Sequence, residues 1–298
     1  MKQPGVVPFR WDVRRREQLG RLLDAPGPKR PWWRPIPFRD LFPEVRRASA
    51  GVLARAGDAR LVFVGRSPEN LFDYLTGALA DTPWADRCDL LSVSMSGVLD
   101  WVPAPALRAL RQQHEAFGLH PADIASAPRP IAFVDLVSSG GTFGELSTFL
   151  CRWARDEGVD VNAVRRRLRW VGITKRTRNS PNTWRWFQQV DWAGDYPRGA
   201  LRGVSVEYWF WSWLGNHQDK TMPSNTYNRW GTEDLARPDH APERLEALRV
   251  AYKLHEKART RVERERFVAE LVERQEMREP WLRSLVVALR RSGERVSG

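Results

Sequence analysis

Between Ile131 and Thr142 the chain reads Ile-Ala-Phe-Val-Asp-Leu-Val-Ser-Ser-Gly-Gly-Thr, an apolar run, one carboxylate, and then hydroxyls and glycines in succession. Such a segment predicts a buried strand that delivers Asp135 at its tip. A small-residue turn through Ser138, Ser139, Gly140, Gly141 and Thr142 then leads into a helix over 143–157. A helix start presents unpaired N–H donors and a partial positive charge, and glycines let a ligand approach the backbone closely, so the turn suits a phosphate. The carboxylate beside it can accept hydrogen bonds from sugar hydroxyls.

The elements that must position this turn are legible upstream and downstream. Leu61-Val62-Phe63-Val64 is a short apolar run ended by Gly65, and 68–79 carries Leu71, Leu75, Ala78 and Leu79 at helical spacing. A second strand over 90–95 precedes a helix over 105–117, and 170–174 (Trp-Val-Gly-Ile-Thr) supplies a fourth strand. Short, nearly all-apolar strands alternating with helices predict an α/β fold, a parallel sheet with helices on both faces. Ligands of such sheets bind at the carboxyl ends of the strands. A helix over 42–57 precedes the first strand, and 203–210 alternates like a further strand.

The segment Ile131–Thr142 resembles the phosphoribosyl-pyrophosphate signature of type I phosphoribosyltransferases, in which apolar strand residues lead to an acidic pair and then to a Thr/Ser-Gly-Gly-Thr/Ser loop. The similarity spans about 60–175. It implies a phosphoribosyltransferase-like core, with Asp135 holding the ribose hydroxyls and Ser138, Ser139, Gly140, Gly141 and Thr142 cradling the 5-phosphate. Gly65, Arg66 and Ser67 stand where the family places its pyrophosphate loop, and Lys175, directly after the fourth strand, is a further cationic candidate for the diphosphate. Val134 occupies the position of the family's first acid, which leaves one carboxylate. The implied reaction is displacement at the anomeric carbon, with phosphoribosyl pyrophosphate (PRPP) as donor, a nitrogenous small molecule as acceptor, and Mg²⁺ held through substrate oxygens. No dedicated metal-ligand cluster is present in the sequence.

From 176 to 230 Trp residues are interleaved with Arg, Asn and Asp, and Trp211, Trp213, Asn216, Asp219 and Lys220 are candidates for an acceptor pocket, with planes to stack on a base and polar groups to read its edge. Three stretches follow: an arm over 1–45 rich in Pro, Arg and Trp (Pro26, Pro28, Pro31, Pro35, Pro37, Trp32, Trp33), a core over 46–230, and a helical cap or dimerisation region over 231–298. The last is read as one long helix over 241–277 and another after Glu279-Pro280.

The chain has 298 residues, 48 Lys+Arg against 36 Asp+Glu, and a formal charge of +12. The charge is +8 over 1–60, −5 over 61–150, +7 over 151–230 and +2 over 231–298. An acidic stretch between basic ones suits a cleft flanked by cations that collect an anion. RNA is the secondary partner to expect, in a non-catalytic nucleotide sensor or RNA-binding relative of the enzyme. A homodimer is the expected assembly for a dimer surface at the C-terminal helices. No apolar run reaches the ~18 residues of a membrane span, and no leader pattern is visible, so a cytoplasmic location is expected. Cys88 and Cys151 are isolated and read as buried thiols. Gly118 stands where HExxH after His114-Glu115 needs its second His, no Walker or dinucleotide glycine pattern is present, and Ser94 and Ser96 lack the glycines of a nucleophile elbow.

Overall fold

The computed structural model describes residues 6–24, 38–95, 97–176 and 185–295. The prolines and tryptophans of 26–37, together with Ser96 and Trp184, lie outside the described residues. Five strands form one wholly parallel sheet: β1 (Arg60–Val64), β2 (Cys88–Leu91), β3 (Ile131–Leu136), β4 (Leu168–Lys175) and β5 (Leu201–Val206). Their spatial order is β2-β1-β3-β4-β5. The helices are α1 (Arg16–Leu19), α2 (Phe38–Ala56), α3 (Glu69–Ala78), α4 (Ala104–Ala116), α5 (Pro121–Ser126), α6 (Gly141–Asp156), α7 (Val161–Arg167), α8 (Tyr208–Ser212), α9 (Pro242–Arg259), α10 (Arg261–Val272) and α11 (Pro280–Arg295).

Apolar residues fill both sides of each strand because both faces are covered. Leu61 and Phe63 of β1 pack with α2, α3 and the C-terminal helices α9 to α11. Val62 and Val64 pack on the other face with α4, α5, α6 and α7 and the aromatics Trp186, Tyr196 and Trp230. The C-terminal helices thus supply one layer of the fold, with Leu254, Phe267, Leu271 and Leu285 inside it. The expected α/β class, a parallel sheet between helical layers, is the architecture observed. Cys88 and Cys151 are buried free thiols. Among the described residues no helix is long and apolar enough to cross a membrane.

Four local expectations are corrected. The second strand ends at Leu91, not at 95: the Ser92 carbonyl accepts from Gln113 Nε2 (2.8 Å) and Asn225 Nδ2 (2.7 Å), and Ser94 N donates to Asn225 O (2.9 Å). Side chains and a neighbouring loop replace the ladder there. The alternation over 203–210 does not continue as a strand, because β4 offers no partner past Lys175, opposite Val206. Glu207 then enters α8, and Trp213–His217 forms one π turn. The long C-terminal helix breaks at Thr260, whose extended backbone (φ −65°, ψ 146°) ends α9 while its hydroxyl accepts from Glu263 N to begin α10. Finally, α2 begins at Phe38, so the boundary drawn at 45 falls inside a helix.

The described part of the arm packs through Val13 and Leu19 against Leu248 and Ala251 of α9. It also inserts a cation. Arg10 donates twice to Asp73 of α3 (2.6 and 2.7 Å) and once to Thr221 Oγ1 (3.0 Å).

Candidate functional site

The chain leaves β1 toward β2 on one side and β3 toward β4 on the other, so the connections after β1 and β3 diverge at the carboxyl edge, the switch point at which sheets of this kind bind ligands. Both sequence-predicted loops, Gly65–Ser67 and Ser138–Thr142, border this point.

On the β3 side, alternation along the strand places Asp135 on the face of Ile131 and Phe133. Its Oδ1 accepts the amide of Leu136 (2.7 Å), and the residue is 8% exposed. Burial pushes the carboxyl up to about 8, against the opposing pull of that amide and of the Lys220 ammonium. Val137 N still donates to Ile173 O of β4 (2.8 Å), after which the chain turns. Ser138 and Ser139 are exposed.

Gly140 adopts φ +90°, ψ 7° as the residue preceding α6, a conformation that favours glycine. A Cβ there would also stand 3.1 Å from Val190 Cγ1 and 3.2 Å from the Trp186 ring. No side chain caps α6, and its first backbone bond runs from Gly144 N to Gly140 O (3.0 Å). The amides of Gly141, Thr142 and Phe143 therefore precede the ladder, as a phosphate turn requires.

An open cleft of about 470 Å³ adjoins Ser139, Gly140 and Gly141. Its other walls carry Asp100, Glu145 and Asp191 against one cation, Arg152. Arg152 pairs with Asp100 (3.0 Å), and Glu145 accepts Leu99 N (3.0 Å). Asp135 does not line this cleft, so the turn has one acidic neighbourhood and one cationic neighbourhood.

The cationic one lies on the β1 side. Gly65, at φ +72°, donates its amide to Leu91 O (2.8 Å), and a Cβ on it would stand 3.3 Å from Val93 O. Arg66 is half-buried, with Nη1 donating to Met222 O (3.3 Å); burial lowers its pKa, Glu69 opposes that, and Arg244 and Arg229 add to it. Lys220, assigned from sequence to an acceptor pocket, instead reaches this loop: Nζ donates to Leu214 O (2.6 Å) and Arg66 O (3.4 Å). Burial lowers its pKa to about 8. Gly215 of the π turn packs on the end of β3, where a Cβ would stand 3.1 Å from Leu136 Cδ2. That contact sets the Lys220 segment beside Asp135.

The other acceptor candidates separate. Trp211 donates Nε1 to Val137 O (3.3 Å), stacks with the exposed Tyr208 (6.4 Å, 20°), and has Lys175 Nζ 5.9 Å from its ring centre. Lys175 is thus seated on an aromatic plane next to the β3–α6 turn. Trp213 lies in the core, stacked on Phe210 at 6.2 Å and 9% exposed, so it offers no open plane. Asn216 is exposed in the π turn, and Asp219 is half-buried beside Lys220.

Several residues that build the site were not singled out from sequence. Gln218 is buried and bonds the Arg66–Ser67 loop, Asn70 and Leu214 at once. Glu69 is buried and accepts from Thr221 N (3.1 Å) and Thr221 Oγ1 (2.6 Å). A signal existed: Glu69, Asp73 and Thr76 fall at i, i+4 and i+7, a polar stripe that reads as a solvent face. In the fold that stripe meets Thr221, Arg10 and His255.

Among the described residues, no three carboxylate, imidazole or thiolate side chains gather closely enough to hold a metal ion. Neither a family model, nor a curated protein, nor a solved structure matches the chain.

Proposed function

We propose that the crevice between β1 and β3 binds a phosphorylated pentose and that the protein transfers a 5-phosphoribosyl group from PRPP to a nitrogenous acceptor. The observation that carries this reading is the placement of one buried carboxyl, Asp135, shortly ahead of an uncapped helix start, across a switch point from the loop that bears Arg66 and that Lys220 reaches. Asp135 orients the ribose through its hydroxyls. The amides of 141–143 and the hydroxyls of Ser138, Ser139 and Thr142 hold the 5-phosphate. In the displacement the bond from the anomeric carbon to the diphosphate oxygen breaks and diphosphate leaves with the electron pair. The acceptor nitrogen bonds to that carbon and gives up its proton to solvent.

The chemistry of the donor set fits a Mg²⁺ carried mainly by ligand oxygens: one carboxyl is at hand, and burial without a strong counter-charge disfavours its ionised form. Mg²⁺ arriving with the ligand would supply charge neutralisation of the leaving group, with Asp135 the protein carboxyl at hand for it. The chain's own contribution is positioning, plus the two cations that offset the charge of that group.

A second reading, a non-catalytic nucleotide-binding protein, is favoured by one observation. Val134, at the position of the family's first acid, is buried on the opposite face of the sheet. Incubation with PRPP, Mg²⁺ and a panel of nitrogenous bases separates the two. Transfer predicts diphosphate release, abolished in large part by Asp135→Asn. Ligand binding without release for any acceptor rejects transfer in favour of sensing, and an absence of binding rejects both.

A further inference from the structure

The two edges of the sheet differ in how they meet solvent. At one, β2 is four residues long with Cys88, Leu90 and Leu91 buried, and past its end Ser94 N is bonded to Asn225 O (2.9 Å). At the other, β5 runs for six residues, of which Arg202 and Ser205 are exposed and Gly203 is half-buried. Trp170 N donates to Ala200 O (2.8 Å) and Arg176 N to Val206 O (2.7 Å), so the even-numbered residues of β5 turn their backbone groups to β4. In a parallel ladder their neighbours turn the other way. The N–H and C=O groups of Leu201, Gly203 and Ser205 therefore face out of the sheet, and among the described residues they have no hydrogen-bond partner.

Nothing in the strand guards this row. Between 201 and 206 there is no proline or lysine, and the register from Trp170–Leu201 to Lys175–Val206 is unbroken, so no bulge twists the edge away. An edge of this kind accepts another strand.

Which strand fits is set by charge. A groove of about 360 Å³ adjoins the edge, walled by Val204 and Val206, by Glu44 and Gly51 of α2, and by Glu273 just after α10. Glu44 pairs with Arg47, and Glu276 pairs with Arg55 (2.9 Å), whereas Glu273 is exposed with no ion pair among the described residues. Arg202, on the edge itself, is exposed and likewise has none.

We infer that β5 pairs with β5 of a second copy of this chain, antiparallel about a two-fold axis at Gly203, which joins two five-stranded sheets into one. Gly203 then faces Gly203 of the second copy, and Leu201 faces Ser205. All three outward residues of each strand enter hydrogen-bonded pairs, with about six bonds in all at two per pair. Shifting the axis by one residue either way loses a pair, and at Arg202 it sets two guanidiniums opposite each other. With the axis at Gly203, Arg202 of each copy instead stands opposite Val204 of the other, beside the groove that Glu273 lines. The unpaired cation and the unpaired carboxylate of one chain thus complement those of the other, as a strand of unrelated sequence would not. The dimer forms at the sheet edge and not on the C-terminal helices, whose Leu254, Phe267 and Leu285 already lie in the core. It is independent of what binds between β1 and β3.

The test is sedimentation velocity of the full chain over a concentration series, with urea unfolding as the check on the fold. Wild type is a dimer. Ser205→Pro removes an outward N–H without touching the β4 ladder, and lowers dimer affinity by about 10-fold or more while the monomer keeps its fold. Arg202→Glu and Glu273→Arg each weaken the dimer by about 10-fold, because each sets like charges together twice per dimer. The double variant Arg202→Glu/Glu273→Arg restores affinity to within about 3-fold of wild type, a recovery that damage to the fold does not produce. Should Ser205→Pro fail to fold, the charge variants decide the question.

Wild type that remains monomeric up to ~100 μM overturns the inference. A dimer that Ser205→Pro and both charge reversals leave unchanged also overturns it, since the contact then lies elsewhere on the surface. Weakening by each reversal with no recovery in the double variant overturns it as well.

Discussion

Replacing Asp135 by Asn should make the ligand-free protein more stable, and the gain should grow with pH. Burial raises the Asp135 carboxyl from an ordinary 3.8 to about 8 in the folded chain, so the native state holds the proton far more tightly than the unfolded state does. A raised carboxyl contributes stability at acid pH, and that contribution is lost as pH climbs from about 4 to about 8. Each pH unit in that window is worth about 1.4 kcal/mol, so by pH 7 the wild type has given up about 4 kcal/mol relative to a neutral group. Asn is nearly isosteric, carries no charge, and can still accept the Leu136 amide through its Oδ1. The value of about 8 already includes the opposing pull of the Lys220 ammonium, so the expected gain is about 4 kcal/mol at pH 7.5 and close to zero at pH 4. Urea unfolding at half-unit pH steps, with equal m-values in the two proteins, measures this directly. A variant no more stable than wild type at pH 8, or two stability curves that run parallel from pH 4 to 8, would refute the account of Asp135 as an ionisable group held in a desolvated site. The trade matches what a ligand site demands, since the same burial that weakens the fold sharpens every polar contact with a sugar.

Three further outcomes follow from the same geometry. Arg10→Met strips the counter-charge from the buried Asp73, and should cost about 3–5 kcal/mol at pH 7.5 but less at pH 5, where Asp73, already pushed up to about 6, gains a proton; Arg10→Met/Asp73→Leu should recover most of the loss in urea titrations. Gly77→Ala should destabilise by at least ~1–3 kcal/mol despite the higher helix propensity of alanine, because the added Cβ would sit 2.2 Å from the His255 carbonyl of α9; a thermal midpoint at or above wild type contradicts that close approach. Gly140→Ala must hold a left-handed backbone at about 1–2 kcal/mol while pressing on Val190, and should weaken ribose 5-phosphate in calorimetry; unaltered affinity would show that the turn does not hold the phosphate.

Much of the scaffold was legible because its signal is local. The strands β1, β3 and β4 are apolar runs too short for helices, and α3 and α6 follow β1 and β3 after short loops typical of α/β units. The break at Thr260 was equally local, since Thr260-Arg261-Val262-Glu263 has the capping-box pattern, yet the charged periodicity on both sides masked it. The helices α5 and α7 are brief, and their signs were Pro121 at a first helical position and Asp160 as a cap. The Trp run over 209–213 was ambiguous by nature. Alternation there needs a neighbouring strand to become a strand, and β4 had already ended.

By itself the sequence determined the layered α/β class, the strand that carries Asp135 near its carboxyl end, and the glycine-hydroxyl turn that leads into α6, because each depends on residues adjacent in the chain. The tertiary structure alone decided which charges meet. It set Arg10 against Asp73 across 63 positions and Lys220 against the Arg66 carbonyl across 154. It divided the surroundings of the turn into a cleft lined by Asp100, Glu145 and Asp191 and, on the other side, the loop of Arg66 with Lys220 brought against it. Burial and Coulomb energies depend on distance through space, and for pairs so far apart in sequence that distance exists only once the sheet and its two helical layers have closed.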